Sequence, residues 1–187
     1  MTKASDNAFP SLLITEGTEP SAPAAGKQRL YIDSTSHLLK VTNSSGVESN
    51  VSKTELDYVQ ITSAVSLTAT TEGTAHTIIT GTSQAYVAEP TLIEVFCPRL
   101  TTSANAGSTI VALLFDGATV LGRVALVSTP SAASMIHQVY AAYRLTPTAA
   151  THQYIVKAYT TVSGGSWDCG AGGTGVEMPS FLRITRV

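Results

Sequence analysis

Six consecutive apolar residues, Ile110, Val111, Ala112, Leu113, Leu114 and Phe115, are followed at once by Asp116-Gly117. Asp-Gly is a strong short-range turn signal, because glycine takes a positive φ without steric cost. The stretch therefore reads as a strand over Thr109–Phe115, a tight turn, and a return strand over Thr119–Leu126. A strand with no polar face must be covered on both sides, by a second sheet or by another chain. Upstream, Thr91–Cys97 is rich in β-branched and aromatic residues and reads as a further strand, ending at Pro98, which has no N–H for a ladder.

Length and charge bound the rest. A chain of 187 residues holds one domain of about 100–150 residues and an appendage. Charged residues are 13%, about half the usual share, and Thr, Ser, Ala and Gly take their place. That composition fits an all-β protein with wide neutral surfaces. The net charge of −2 gives no pull toward nucleic acid or an acidic membrane. No window approaches the roughly 18 apolar residues of a membrane span. The opening MTKASDNAFP has no apolar run of signal-peptide length, so synthesis in a cytosol is expected. Cys97 and Cys169 are too few for a disulfide scaffold and are expected as reduced thiols.

Taken in order, residues 1–26 read as an extended arm. It holds Pro10, Pro20 and Pro23, and Phe9, Leu12, Leu13 and Ile14 form its one apolar group, the candidate docking anchor. Residues 27–61 read as a small β-meander and neck: Gln28–Asp33, His37–Thr42 and Val47–Val51, then a short helix or turn, two turns at most, opened by the Ser52–Glu55 capping box. Such a meander is too small to bury a core alone and needs a partner. Residues 62–187 carry short strands at regular spacing without helical windows. That pattern argues a jelly-roll β-sandwich.

The strands Met135–Arg144 and His152–Thr161 keep large apolar or aromatic groups on both faces. A lone sandwich normally shows a polar outer face, whereas Tyr, Met and Arg together are interface composition. The sandwich is therefore expected to associate with itself, with Met135, His137, Tyr140, Tyr143, Tyr154 and Tyr159 as the candidate interface between copies. Trp167 and Asp168, in the Gly164–Gly175 segment, are either a ligand-binding loop or a plug for the end of the sandwich, and the plug is preferred.

Signals for catalysis are weak. Gly170–Gly175 spells G-x-G-x-x-G but precedes a strand near the C-terminus, with no βαβ unit around it. His37, His76, His137 and His152 lack ligand partners at metal spacing, although His137 and His152 could meet across neighbouring strands. No serine sits in a G-x-S-x-G elbow, and no carboxylate pair stands out. No catalytic residue, metal or cofactor is assigned.

Pro20–Val51, PSAPAAGKQRLYIDSTSHLLKVTNSSGVESNV, resembles a segment of tailed-phage structural proteins in which P-x-A-G-x-x-R-L-Y is followed by L-x-V and a polar Gly turn. The matching residues are Pro23, Ala25, Gly26, Arg29, Leu30, Tyr31, Leu39, Val41 and Gly46. LIEVFCPRL, ALLFDGATVLGR, YRLTPTAATHQYIVKAYTT and PSFLRITRV look like the jelly-roll heads of phage fibres and capsid-decorating proteins. The resemblance implies a non-enzymatic homotrimer on the virion surface, made in the bacterial host cytoplasm. It implies capsid decoration or a short head fibre, bound through the N-terminal region to the major capsid protein or another virion protein. The alternative it implies is a receptor-binding tail fibre or tail tip whose jelly roll binds host glycan or protein. Neither nucleic acid nor membrane is an expected partner.

Overall fold

The computed structural model describes residues 16–35, 39–50, 54–130 and 132–187. Phe9, Leu12, Leu13 and Ile14, together with His37 and the Ser52 cap, lie outside them. Contacts divide the chain into two units, residues 1–54 and 55–187.

In the first unit, β1 (Glu16–Gly17) runs parallel to β2 (Gln28–Asp33), which pairs antiparallel with β3 (Leu39–Asn43), and β3 with β4 (Glu48–Asn50). The β3–β4 turn is built by Asn43, whose side-chain oxygen accepts from the N–H groups of Ser45 and Val47, both at 2.9 Å. Side-chain alternation gives this sheet one polar face and one apolar face. Arg29, Tyr31, Asp33, Lys40, Thr42 and Glu48 share the first; Leu30, Ile32, Leu39 and Val41 share the second.

The second unit is an all-β sandwich, the fold class expected from the sequence. Its strands in chain order are β5 (Thr54–Ile61), β6 (Val65–Leu67), β7 (His76–Thr80), β8 (Gln84–Ala85), β9 (Thr91–Thr101), β10 (Thr109–Asp116), β11 (Thr119–Ser128), β12 (Ile136–Leu145), β13 (Thr151–His152), β14 (Tyr154–Thr160), β15 (Gly165–Asp168) and β16 (Ser180–Arg186). One sheet has the order β5-β16-β9-β15-β6, with β12 on the other edge of β9. The second is β11-β10-β14-β7, and β8 and β13 form a short ribbon. Ile93, Val95, Cys97, Leu182 and Ile184 of the larger sheet share one core with Ile110, Ala112, Leu114, Val156 and Ala158 of the smaller.

The β10–β11 hairpin closes with Asp116 opposite Thr119, and Gly117 at φ 56° makes the turn. The all-apolar β10 is indeed buried on both faces. Its outer residues Val111, Leu113 and Phe115 are covered from their own sheet, by Ile155 and Tyr159, and Lys157 Nζ lies 4.6 Å from the centre of the Phe115 ring. Neither a third layer nor a second chain is needed there.

Three expectations are corrected. The neck helix is strand β5: Leu56, Val59 and Ile61 pack against the core, Tyr58 faces out, and pairing with β16 outweighs the capping box. The sequence places the boundary of the sandwich at residue 62, whereas contacts divide the chain after Thr54, because β5 pairs with β16. Pro98 does not end β9. It sits where the β12 register shifts, between His137↔Leu100 and Val139↔Cys97, and where β9 passes from β16 to β15. A bulge of that kind has no use for the missing N–H.

Candidate interaction surface

β11 and β12 are the edge strands of the two sheets on the same side of the sandwich, and they approach each other there. Among the described residues neither pairs on its outer edge. Both are ten residues long, and both carry register shifts, the bulges that twist an exposed edge away from uncontrolled pairing. Between them lies an opening of about 120 Å³ lined by Leu114, Gly122, Arg123, Val124, Ala141, Ala142 and Tyr143. Exposed apolar side chains line both strands on different faces: Val120 and Leu126 are in register with the outer residues Phe115 and Val111 of the smaller sheet, Tyr140 faces out from the larger sheet beside Phe96, and Tyr143 is in register with the core residue Ile93, with Ile136 58% and Tyr140 61% exposed.

From Tyr140 an aromatic row crosses the outer face of the larger sheet. Tyr140 is opposite Phe96, and Phe96 is opposite Phe181. Phe96 and Phe181 stack with centroids 5.4 Å apart, and Tyr58 lies 5.6 Å from Phe181. Tyr58, Phe96 and Phe181, with Met178 and Pro179, line a shallow hollow of about 310 Å³. At 27° the Phe96–Phe181 pair is stacked, and at 32° Tyr58 is tilted against Phe181. Coplanar rings side by side cannot come so close, because their edge hydrogens would overlap. The row is therefore not a flat platform of open ring faces.

Charges beside the row are matched within the sheet. Arg183 pairs with Glu55 at 2.9 Å, and the Tyr140 hydroxyl donates to Glu94. That hydrogen bond, with a smaller contribution from desolvation, holds the Tyr140 phenol above the ordinary tyrosine range.

Of the six residues expected at a trimer interface, Tyr140 and Tyr143 are exposed on β12, His137 is exposed beside them, and Met135 is half-buried just before the strand. Tyr159 lies elsewhere, half-buried on the outer face of the smaller sheet. Tyr154 is a correction. It is a buried core residue packed edge-on against Tyr86, and burial raises its phenol well above the usual range.

Of the two readings of Trp167 and Asp168, the ligand loop is overturned. Trp167 is fully buried on β15, a strand hidden in the glycine-rich segment, and its indole N–H donates to Ser180 Oγ at 2.8 Å. Asp168 accepts from Thr101 Oγ1 at 2.7 Å and lies 3.5 Å from Arg99. Trp167 is the plug, and Asp168 ties β15 to β9. The following glycines form a return turn, with Gly172 N donating to Glu177 O and Val176 N to Gly173 O, and Gly173 at φ 112°.

His137 and His152 do not meet across paired strands, since β12 pairs with β9 and β13 with β8. His152 Nδ1 instead lies 2.5 Å from Asp116, and Nε2 lies 3.1 Å from Thr148 Oγ1. The imidazole also stacks on Tyr154, so it fastens the loop before β13 to the β10–β11 turn. Among the described residues no group of His, Cys, Asp and Glu could hold a metal.

No protein-family model matches the chain, and no curated protein matches it. Among solved structures, the carbohydrate-binding module CBM6cm-2 of Cellvibrio mixtus lichenase 5A, solved with cellotriose, aligns over 90% of this chain and 92% of that one. Identity is 15% and the TM-score is 0.21. A superposition that loose says nothing about what this chain binds.

Proposed function

We propose that this chain is a non-enzymatic structural protein of a tailed-phage virion, a capsid decoration or short head-fibre protein. In this reading the sandwich forms homotrimers through its β11–β12 side, and the N-terminal region attaches to the major capsid protein or another virion protein. The virion assignment is supported by the sequence resemblance of Pro20–Val51 and of the sandwich strands. The observation that carries self-association is the pair of free, bulged edge strands studded with Val120, Leu126, Ile136, Tyr140 and Tyr143. In a three-fold ring the contact is heterologous, so the β12 side of one copy meets a different surface of the next. Phe96 stacked on Phe181, with Tyr58 tilted against it, suits contact with apolar protein better than with sugar rings, which need open aromatic faces. That favours decoration over a glycan-binding tip.

The test combines light scattering with co-sedimentation. Full-length protein should have the mass of three chains and should pellet with virus particles. Ile136→Asp, on an exposed position, should shift the mass toward one chain while the far-ultraviolet spectrum stays that of a β protein. A wild-type protein that runs as a monomer, or that ignores particles, contradicts the proposal.

A further inference from the structure

The two faces of the N-terminal sheet are covered the wrong way round for a free-standing meander. On the polar face, Tyr31 is 7% exposed and Thr42 is fully buried. On the apolar face, Leu30 is 44% exposed, and Ile32, Leu39 and Val41 are only half-buried. The cover on the polar face comes from the chain itself. Arg29, on that face, donates to the Ser21 carbonyl at 2.9 Å, and Ala22 Cβ is 4.0 Å from where a Cβ on Gly46 would stand. Glu19 acts on Glu48, adding to the desolvation that raises the Glu48 carboxyl above its ordinary range. The proline-bearing segment from Glu19 to Ala22 thus crosses the polar face as a strap, while Lys40 bridges Asp33 and Glu48 beneath it at 3.4 and 3.1 Å.

The other face is left with a block of two cross-strand pairs, Leu30↔Val41 and Ile32↔Leu39, bordered by the uncharged pair Gln28↔Asn43. Glu16, opposite Ile32 on the edge strand, is the acidic group in register with it. A sheet of this size does not hold an apolar face to water without a cover. The character of the block selects the cover. A charged partner would lose hydration against Leu and Val without gaining a counter-ion. Three identical blocks converging on a three-fold axis bring apolar surface of the same extent, with different edges of the block meeting from copy to copy.

We infer that the Leu30, Ile32, Leu39 and Val41 block is a self-association surface, met by the same block of other copies of this chain. The inference rests on the homotrimer reading and adds a second contact to it. The N-terminal units gather on a common axis, apolar faces inward and proline straps outward.

Cysteine cross-linking of the full chain tests this. The native thiols do not interfere, because Cys97 and Cys169 are both buried and burial pushes the Cys97 thiol up to about 12. Leu30→Cys should form disulfide-linked pairs under mild oxidation about tenfold or more faster than Ser45→Cys, an exposed control on the β3–β4 turn, since self-contact raises the local thiol concentration. Val41→Cys should behave like Leu30→Cys. If Leu30→Cys and Val41→Cys link no faster than the control in a protein that light scattering shows to be trimeric, this surface is overturned and the homotrimer stands. If they link rapidly while Ile136→Asp leaves the mass unchanged, the surface stands and the β11–β12 contact fails. A monomeric wild type overturns both.

Discussion

The two units of this chain solve burial in opposite ways. The sandwich places its apolar residues between two sheets, and even the outer face of its all-apolar strand β10 is covered by Ile155, Tyr159 and Lys157 from the same sheet. Among the described residues of its own unit, the N-terminal sheet has no second layer. It hides polar side chains under a proline strap and leaves Leu30, Ile32, Leu39 and Val41 partly in water. The difference follows from size. Twelve strands enclose a core, whereas four short ones cannot, and the small sheet's hydrophobic residues serve assembly. Folding energy should therefore concentrate in the second unit and association in the first unit and the β11–β12 edge.

The sharpest way to break that contrast is Trp167→Ala. The side chain is fully buried with its N–H bonded to Ser180, so truncation should cost about 3–5 kcal/mol in a urea titration. A loss under 1 kcal/mol would return Trp167 to the status of a surface residue. Cys97→Ala should cost about 1–2 kcal/mol, as a small buried side chain. Its thiol, with a pKa of about 12, should stay unlabelled by a thiol reagent at pH 8 until the sandwich unfolds. Leu30→Asp should leave the sandwich melting transition almost unmoved and weaken the oligomer. A large fall in melting temperature would show that Leu30 supports folding instead. Smallest of all, Arg183→Gln removes an exposed ion pair with Glu55 and should change stability by about 1 kcal/mol or less.

The legibility of these features in the sequence depends on how local the signal is. The β10–β11 hairpin is readable because its apolar run and its Asp-Gly turn are adjacent. β5 is misread because Ser52 and Glu55 match a helix cap by spacing, while the partner that makes Thr54–Ile61 a strand, β16, lies at the other end of the chain. β15 is masked by the glycines around it, and only its pairing with β9 and β6 reveals it. Alternation correctly groups Tyr154 with Val156 and Ala158, yet it does not say which face turns inward. The edge surface is partly legible, since Tyr140 and Tyr143 are candidates from the sequence. The aromatic row is not, because Tyr58, Phe96, Tyr140 and Phe181 come from four separate strands. The strap is equally silent, since Arg29 bonding back to Ser21 leaves no periodic trace.

Self-assembly is the point on which the rest depends, and the mass of the intact chain in solution measures it most directly. Sedimentation equilibrium of full-length protein at micromolar concentration should give three chains per particle, and Leu30→Asp combined with Ile136→Asp should give one. A wild-type protein that sediments as a single chain would contradict both proposed surfaces at once.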